Sequence, residues 1–241
     1  MDPTRGSSVN QPGGLVIAIV GAESTGKSTL AAALSQRIAD ETGLTCTPVD
    51  EHLRTWCEQM GRTPRIDEQR GIAKTQQDRI AAAAATHDVV VADTSALMIA
   101  VYSRFVFGDR SLDTWAAAEH ARSVQYTLVT ALDLPWVADG LQREGEHVRA
   151  PIDAMLRELL TTHDIAWSLV CGSGDARVDN ALSAVTPLLR RRAPPGSGLL
   201  TRLAQSDAAQ PAWQWVCEKC DVPDCEHRLR QALGSAPVRS R

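Results

Sequence analysis

Residues 21–28 read Gly-Ala-Glu-Ser-Thr-Gly-Lys-Ser, a complete G-x-x-x-x-G-K-[ST] pattern, and no other stretch restricts the fold as strongly. Glycines let such a loop curl so that successive amides face one centre. Its lysine reaches β- and γ-phosphates, and its terminal hydroxyl holds Mg²⁺. The flanks agree with this. Residues 15–20, Leu-Val-Ile-Ala-Ile-Val, are a continuous apolar run, the pattern of a parallel strand buried on both faces. Residues 29–34, Thr-Leu-Ala-Ala-Ala-Leu, favour helix, so the loop opens a helix whose N-terminus carries partial positive charge. Gly21, Glu23, Ser24, Thr25, Gly26, Lys27, Ser28 and Thr29 are the expected nucleotide-binding residues, with ATP and Mg²⁺ as ligands.

Apolar stretches at 45–50, 89–92, 126–132 and 165–170 predict four further strands. Between them, helices are predicted from 51 to 60, over 66–86, 95–107 and 112–122, from Pro151 to 163, and over 175–190. In the last, Ala181, Val185 and Leu188 recur at helical spacing. Buried strands alternating with helices predict an α/β architecture, a P-loop NTPase with a mostly parallel five-stranded sheet between helices. Residues 15–190 form this domain. Residues 1–14, polar and rich in Gly, Ser and Pro, read as a disordered leader. Residues 133–149 are polar, mixed in charge and glycine-bearing, which suits a mobile loop or lid. Residues 191–198, Arg-Arg-Ala-Pro-Pro-Gly-Ser-Gly, break the composition and read as a linker to a tail over 199–241.

A formal net charge of −4 argues against a broad basic surface, so nucleic acid is not an expected partner. No apolar run is long enough to span a bilayer, and the leader lacks the apolar core of a signal peptide. Six cysteines without an export signal point to reduced thiols in a cytoplasm.

Phosphoryl transfer needs a metal, neutralisation of the γ-phosphate charge and a positioned acceptor. Asp93, at the end of a predicted buried strand, is placed where a carboxylate reaches the Mg²⁺ shell, with Ser28 as its partner. The competing reading is that Asp93, Thr94 or Ser95 caps the following helix. Asp50 and Glu51 also close a strand and can orient or deprotonate an acceptor hydroxyl, or simply favour a helix N-terminus. Arg143 and Arg149 lie in the polar loop, where an arginine can fold over the phosphates; beside Glu144 and Glu146 they also read as solvated charges. Gln76, Gln77 and Arg79 can read a base or sugar, or form a solvated helix face.

Taken in order, Gly21-x4-Gly-Lys-Ser-Thr-Leu, Val49-Asp-Glu51 with Arg54, Gln76-Gln77, Ala92-Asp-Thr94 and Leu134-Pro-Trp-Val-Ala-Asp-Gly140 resemble the NadR-type ribosylnicotinamide kinase domain, an AAA-like P-loop family. The resemblance covers roughly residues 15–189. It implies Mg-ATP-dependent phosphorylation of a nucleoside 5′-hydroxyl, taking nicotinamide riboside to nicotinamide mononucleotide. It implies Lys27 and Ser28 on ATP and Mg²⁺, Asp93 as the strand-end acid, Glu51 toward the acceptor, and Asp139 and Arg143 in the segment that closes over the nucleotide. The adenylyltransferase and DNA-binding domains of bifunctional relatives are not expected here. Many relatives carry Arg two residues after the Asp-Gly of the lid motif, whereas Asp139-Gly-Leu-Gln-Arg143 places it one residue later. Aromatic side chains usually grip a flat base by stacking, yet Asp50 and Asp78 occupy the aligned positions, leaving Trp56 or Tyr102 as substitutes.

In the tail, Cys217-x2-Cys220-x4-Cys225-x-His227 offers a Cys3His set, the composition of a closed structural zinc site. A disulfide is the alternative, against which reduced cytoplasmic thiols argue. A second functional class stays open: a P-loop ATPase or nucleotide-dependent switch whose zinc-stabilised tail binds a partner.

Overall fold

The computed structural model describes residues 13–137 and 145–192. Five strands make one parallel sheet: β1 (Leu15–Val20), β2 (Cys46–Val49), β3 (Val89–Asp93), β4 (Tyr126–Thr130) and β5 (Ser168–Val170), in spatial order β2-β3-β1-β4-β5. The most apolar run, β1, lies in the middle and is buried along its whole length. It pairs with β3 from Leu15↔Val89 to Ile19↔Asp93 and with β4 from Ile17↔Tyr126 to Val20↔Val129. Pro48 sits in β2, an edge strand, where a missing ladder donor is tolerated.

Seven helices, α1 (Lys27–Thr42), α2 (His52–Met60), α3 (Gln69–Ala84), α4 (Ala96–Phe107), α5 (Asp113–Ser123), α6 (Arg149–Thr162) and α7 (Gly174–Arg192), connect the strands among the described residues. Helices α3 to α6 pack on one another, and so do α1 and α7. Val20, Val129 and the α4 residues Ala96–Val101 share a core with Ile152, Leu156 and Leu160 of α6, while Val16, Val90 and Ala92 pack around Ile80 of α3. Strand alternation sends Ile17, Ile19 and Leu128, all fully buried, to the opposite face. The α/β architecture expected from the sequence is the one observed.

The boundaries differ in instructive ways. The helix expected from residue 66 begins as a 3₁₀ turn, Ile66–Glu68, because Glu68 accepts from the Arg65 amide at 2.7 Å and ties that turn down. Helix α6 starts at Arg149 rather than Pro151, after a 3₁₀ turn at Glu146–Val148; the proline still lies in the first turn, where amides lack intrahelical partners. Strand β5 begins at Ser168, not 165; the Ile165 amide instead donates to the Leu160 carbonyl at 2.9 Å and closes α6. Helix α7 runs to Arg192, through two positions that composition assigned to a linker. No helix among the described residues is long and apolar enough to cross a membrane.

Candidate functional site

Parallel strands all end at one edge of the sheet, and ligands of such sheets bind outside that edge. Here the connection from β1 to α1 forms the phosphate loop. Gly21 has φ 153°, and a Cβ on it would lie 2.1 Å from Thr130 Oγ1 of β4, so only glycine fits between the two strands. Gly26 adopts the left-handed conformation, φ 76°, immediately before α1. Thr25 is buried; its hydroxyl donates to the Ala22 carbonyl at 2.8 Å and lies 2.7 Å from Thr130 Oγ1. Lys27 Nζ donates to the same Ala22 carbonyl at 2.8 Å. Ser24, left-handed at φ 54°, exchanges two bonds with Val137: its hydroxyl donates to the carbonyl at 3.1 Å and accepts from the amide at 2.8 Å. Ser28 and Thr29 stand on the first turn of α1, both exposed, and Glu23 is buried in the loop. The Thr25 hydroxyl and the Lys27 ammonium both bond a loop carbonyl, which leaves the loop's amides to face an anion.

Asp93 ends β3 beside this loop and is only 2 % exposed. Burial pushes its carboxyl above the usual range; the Lys27 charge, a hydrogen bond with Ser28 and the Arg54 charge oppose that, and Asp50 adds to the rise. Asp93 Oδ1 is buried with no hydrogen-bond partner among the described residues. Capping of α4 falls to Ser95, whose Oγ accepts from the Leu97 amide at 3.3 Å, so the Asp93 carboxylate is left to Ser28. A carboxylate, a hydroxyl and phosphate oxygens make a normal Mg²⁺ shell, and Ser28 with Asp93 fits that donor set. No cluster of three or more His, Cys, Asp or Glu side chains occurs among the described residues, and such a shell does not need one.

Between Asp93 and Ser95 stands Thr94 at φ 71°, an outlier for a β-branched residue. Strain of this kind persists only where the surroundings over-determine it; the Thr94 amide donates to the Ile19 carbonyl at 2.9 Å, and two buried side chains hold the residues that follow it. Gln77 of α3 accepts from the Ala96 amide at 3.3 Å and donates to Ser123 Oγ at 3.0 Å. His120 of α5 sits 2.9 Å from Ser95 Oγ through Nδ1 and 2.8 Å from Thr127 Oγ1 through Nε2. Desolvation lowers the His120 pKa to about 4, so the ring is neutral at pH 7. Neither brace was among the predicted roles. Gln76 and Gln77 are buried, not on a solvated face, because they share a helical stripe with Ile72, Ala73 and Ile80. Gln76 Oε1 accepts from the His52 amide at 2.7 Å, and its Nε2 is buried without a partner among the described residues.

Beyond β2, Glu51 takes the N-cap position of α2 but makes no side-chain cap bond. Its charge is felt by Cys57, whereas Asp50 is the strand-end carboxylate whose charge bears on Asp93. Next to this turn, α2 and α3 enclose an open cavity of about 350 Å³ lined by His52, Trp56, Met60, Glu68, Gly71, Ile72 and Thr75, within the size range of small-molecule sites. Arg62 lies 5.0 Å over the Trp56 ring and pairs with Glu68 at 2.7 Å. Asp78 faces outward in an ion pair with Lys74. Tyr102, the other aromatic candidate, packs against the main core, as one part of Trp56 also does. Arg149 is 5 % exposed, and its Nε and Nη2 have no partner among the described residues. Asp139, Arg143 and the set Cys217, Cys220, Cys225 and His227 lie outside the described residues.

The model of an AAA domain family matches residues 16–177, more than half of the chain, and the chain belongs to that family. No curated protein matches it. Among solved structures, the fold is similar to a NadR protein in complex with NR (TM-score 0.61, 20 % identity, 76 % of this chain and 54 % of that one). It is similar to a NadR protein in complex with NAD and AMP-PNP (TM-score 0.58, 19 % identity, 73 % and 50 %). It also resembles a thymidylate kinase from Ehrlichia chaffeensis (TM-score 0.52, 10 % identity, 73 % and 100 %). The chain thus spans about half the length of the two NadR chains, and its fold is the P-loop fold that these structures share.

Proposed function

We propose that the protein is a Mg-ATP-dependent small-molecule kinase that phosphorylates a nucleoside hydroxyl, with nicotinamide riboside as the acceptor. The observation that carries this reading is the meeting of Asp93, Ser28 and Lys27 at one strand edge, with a cavity of about 350 Å³ between α2 and α3 whose lining includes His52, the residue after the turn that follows β2. Folds that resemble it include those of a NadR protein in complex with NR and of a thymidylate kinase, which supports a nucleoside or nucleotide acceptor.

In this reading the loop amides and Lys27 hold the β- and γ-phosphates. Bound Mg²⁺, held by the Ser28 hydroxyl and by Asp93, would draw charge from the phosphate oxygens. Asp50 or Glu51 orients the acceptor hydroxyl and takes its proton. That oxygen attacks the γ-phosphorus, the bond to the β-phosphate oxygen breaks, and ADP leaves. Trp56 is the stacking surface that Asp50 and Asp78 cannot supply. Arg143 remains the proposed cover for the phosphates, and Arg149 shares the role, its buried Nε and Nη2 having no hydrogen-bond partner among the described residues.

The test is ADP release across a panel of nucleosides that includes nicotinamide riboside, with products checked by mass. Acceptor-dependent ADP release and a product heavier by one phosphate are expected. ADP release indifferent to every acceptor would shift the reading to a nucleotide-dependent switch.

A further inference from the structure

Arg177 belongs to no motif. It stands on α7 and is only 4 % exposed. Its Nη2 donates to the Thr25 carbonyl of the phosphate loop at 2.9 Å and to the Ala131 carbonyl after β4 at 3.4 Å. Its Nη1 donates to Asp133 Oδ1 at 2.8 Å and to the Gly172 carbonyl after β5 at 2.6 Å. Asp133 closes the ring, since its Oδ2 accepts from the Gly172 amide at 2.6 Å. Burial pushes the Asp133 carboxyl up, but these bonds outweigh it and leave its pKa below the usual range. One guanidinium thus ties three connections at the strand edge to a single planar fork.

We infer that Arg177 is a positioning residue for nucleotide binding: it sets the orientation of the Thr25–Gly26 peptide in the phosphate loop and couples that peptide to the segment following β4. The inference rests on the kinase reading of the loop. In a trans peptide the carbonyl and the next amide point opposite ways. A Thr25 carbonyl held toward Arg177 turns the Gly26 amide away from it, toward the centre of the loop. The same segment after β4 touches the loop twice more: Leu134 Cδ1 lies 3.0 Å from where a Gly26 Cβ would stand, and Ser24 is bonded to Val137. A lysine cannot replace the fork, because a point charge on a flexible stem does not serve four acceptors in one plane.

The experiment is Mg-ATP binding by the full chain, with steady-state KM and kcat measured for ATP and for the acceptor. Arg177→Met and Arg177→Lys are each expected to fold and to weaken Mg-ATP binding about tenfold, the scale of a lost charge-assisted bond. The acceptor KM should stay within about twofold, a split that a general loss of packing would not produce. Asp133→Asn, on a partly exposed side chain, should weaken Mg-ATP binding about threefold and decides the matter if both arginine variants fail to fold. Folded variants with wild-type ATP affinity would overturn the inference alone. Wild-type protein that does not bind Mg-ATP would instead remove the kinase reading and this inference with it.

Discussion

The phosphate side and the acceptor side of the strand edge are made differently. The phosphate side is backbone geometry held by close packing and buried bonds: Gly21 against Thr130, Thr25 on Ala22, and the turn after Asp93 held at Ala96 and Ser95 by Gln77 and His120. The proposed acceptor side is an open cavity between two helices, lined by side chains that include Trp56, Met60 and Glu68. Phosphate is one ligand, and a rigid nest of amides suits every nucleotide. An acceptor varies, so its recognition rests on side chains that can change without disturbing the sheet. The phosphate side should therefore govern turnover with any acceptor, while the acceptor side should govern choice among them.

The largest expected effect is on the phosphate side. Lys27→Ala should fold normally yet lower acceptor-dependent ADP release by about 10³-fold, the scale of losing a preorganised charge at the reacting phosphate. Asp93→Asn should cost about 10²-fold in kcat and raise the Mg²⁺ concentration needed for half-maximal rate. A variant of Asp93 that loses only stability would break the contrast between the two sides.

The brace behind Asp93 should show in stability against pH. His120 has a folded-state pKa lowered from 6.5 to about 4 by burial, so the unfolded chain binds the extra proton between those values. Stability contributed by the neutral ring is complete above about pH 6.5 and is lost as pH falls toward 4, on the order of 3 kcal/mol in all. Chemical denaturation at several pH values should trace that slope, and His120→Asn should flatten it. The smallest effect belongs to the acceptor side. Trp56→Ala should raise the acceptor KM about tenfold, as loss of a stacking surface does, and leave the ATP KM unchanged. An equal rise in both would mean that the two sides are not separate.

What the sequence reveals follows the same division. The phosphate loop is contiguous, and Asp93 ends an apolar strand, so local pattern finds both. The braces are single polar residues whose partners lie far away in the chain. Gln77 and Ala96 are 19 residues apart, and Arg177 and Thr25 are 152 apart. One local signal does exist. Gln76 and Gln77 fall on the apolar stripe of α3, and His120 falls on that of α5 with Ala116 and Ala117; a polar residue on a buried stripe must have a partner. The boundaries of β5 and α6 escape sequence reading because Ile165 is apolar either way, and only its bond to Leu160 decides between strand and helix end.

The most direct measurement is the fate of a labelled γ-phosphate in the presence of nicotinamide riboside. Label on the nucleoside product, in step with ADP and abolished in Lys27→Ala, is the predicted result. Label appearing as inorganic phosphate, with the nucleoside left unmodified, would contradict phosphoryl transfer to an acceptor.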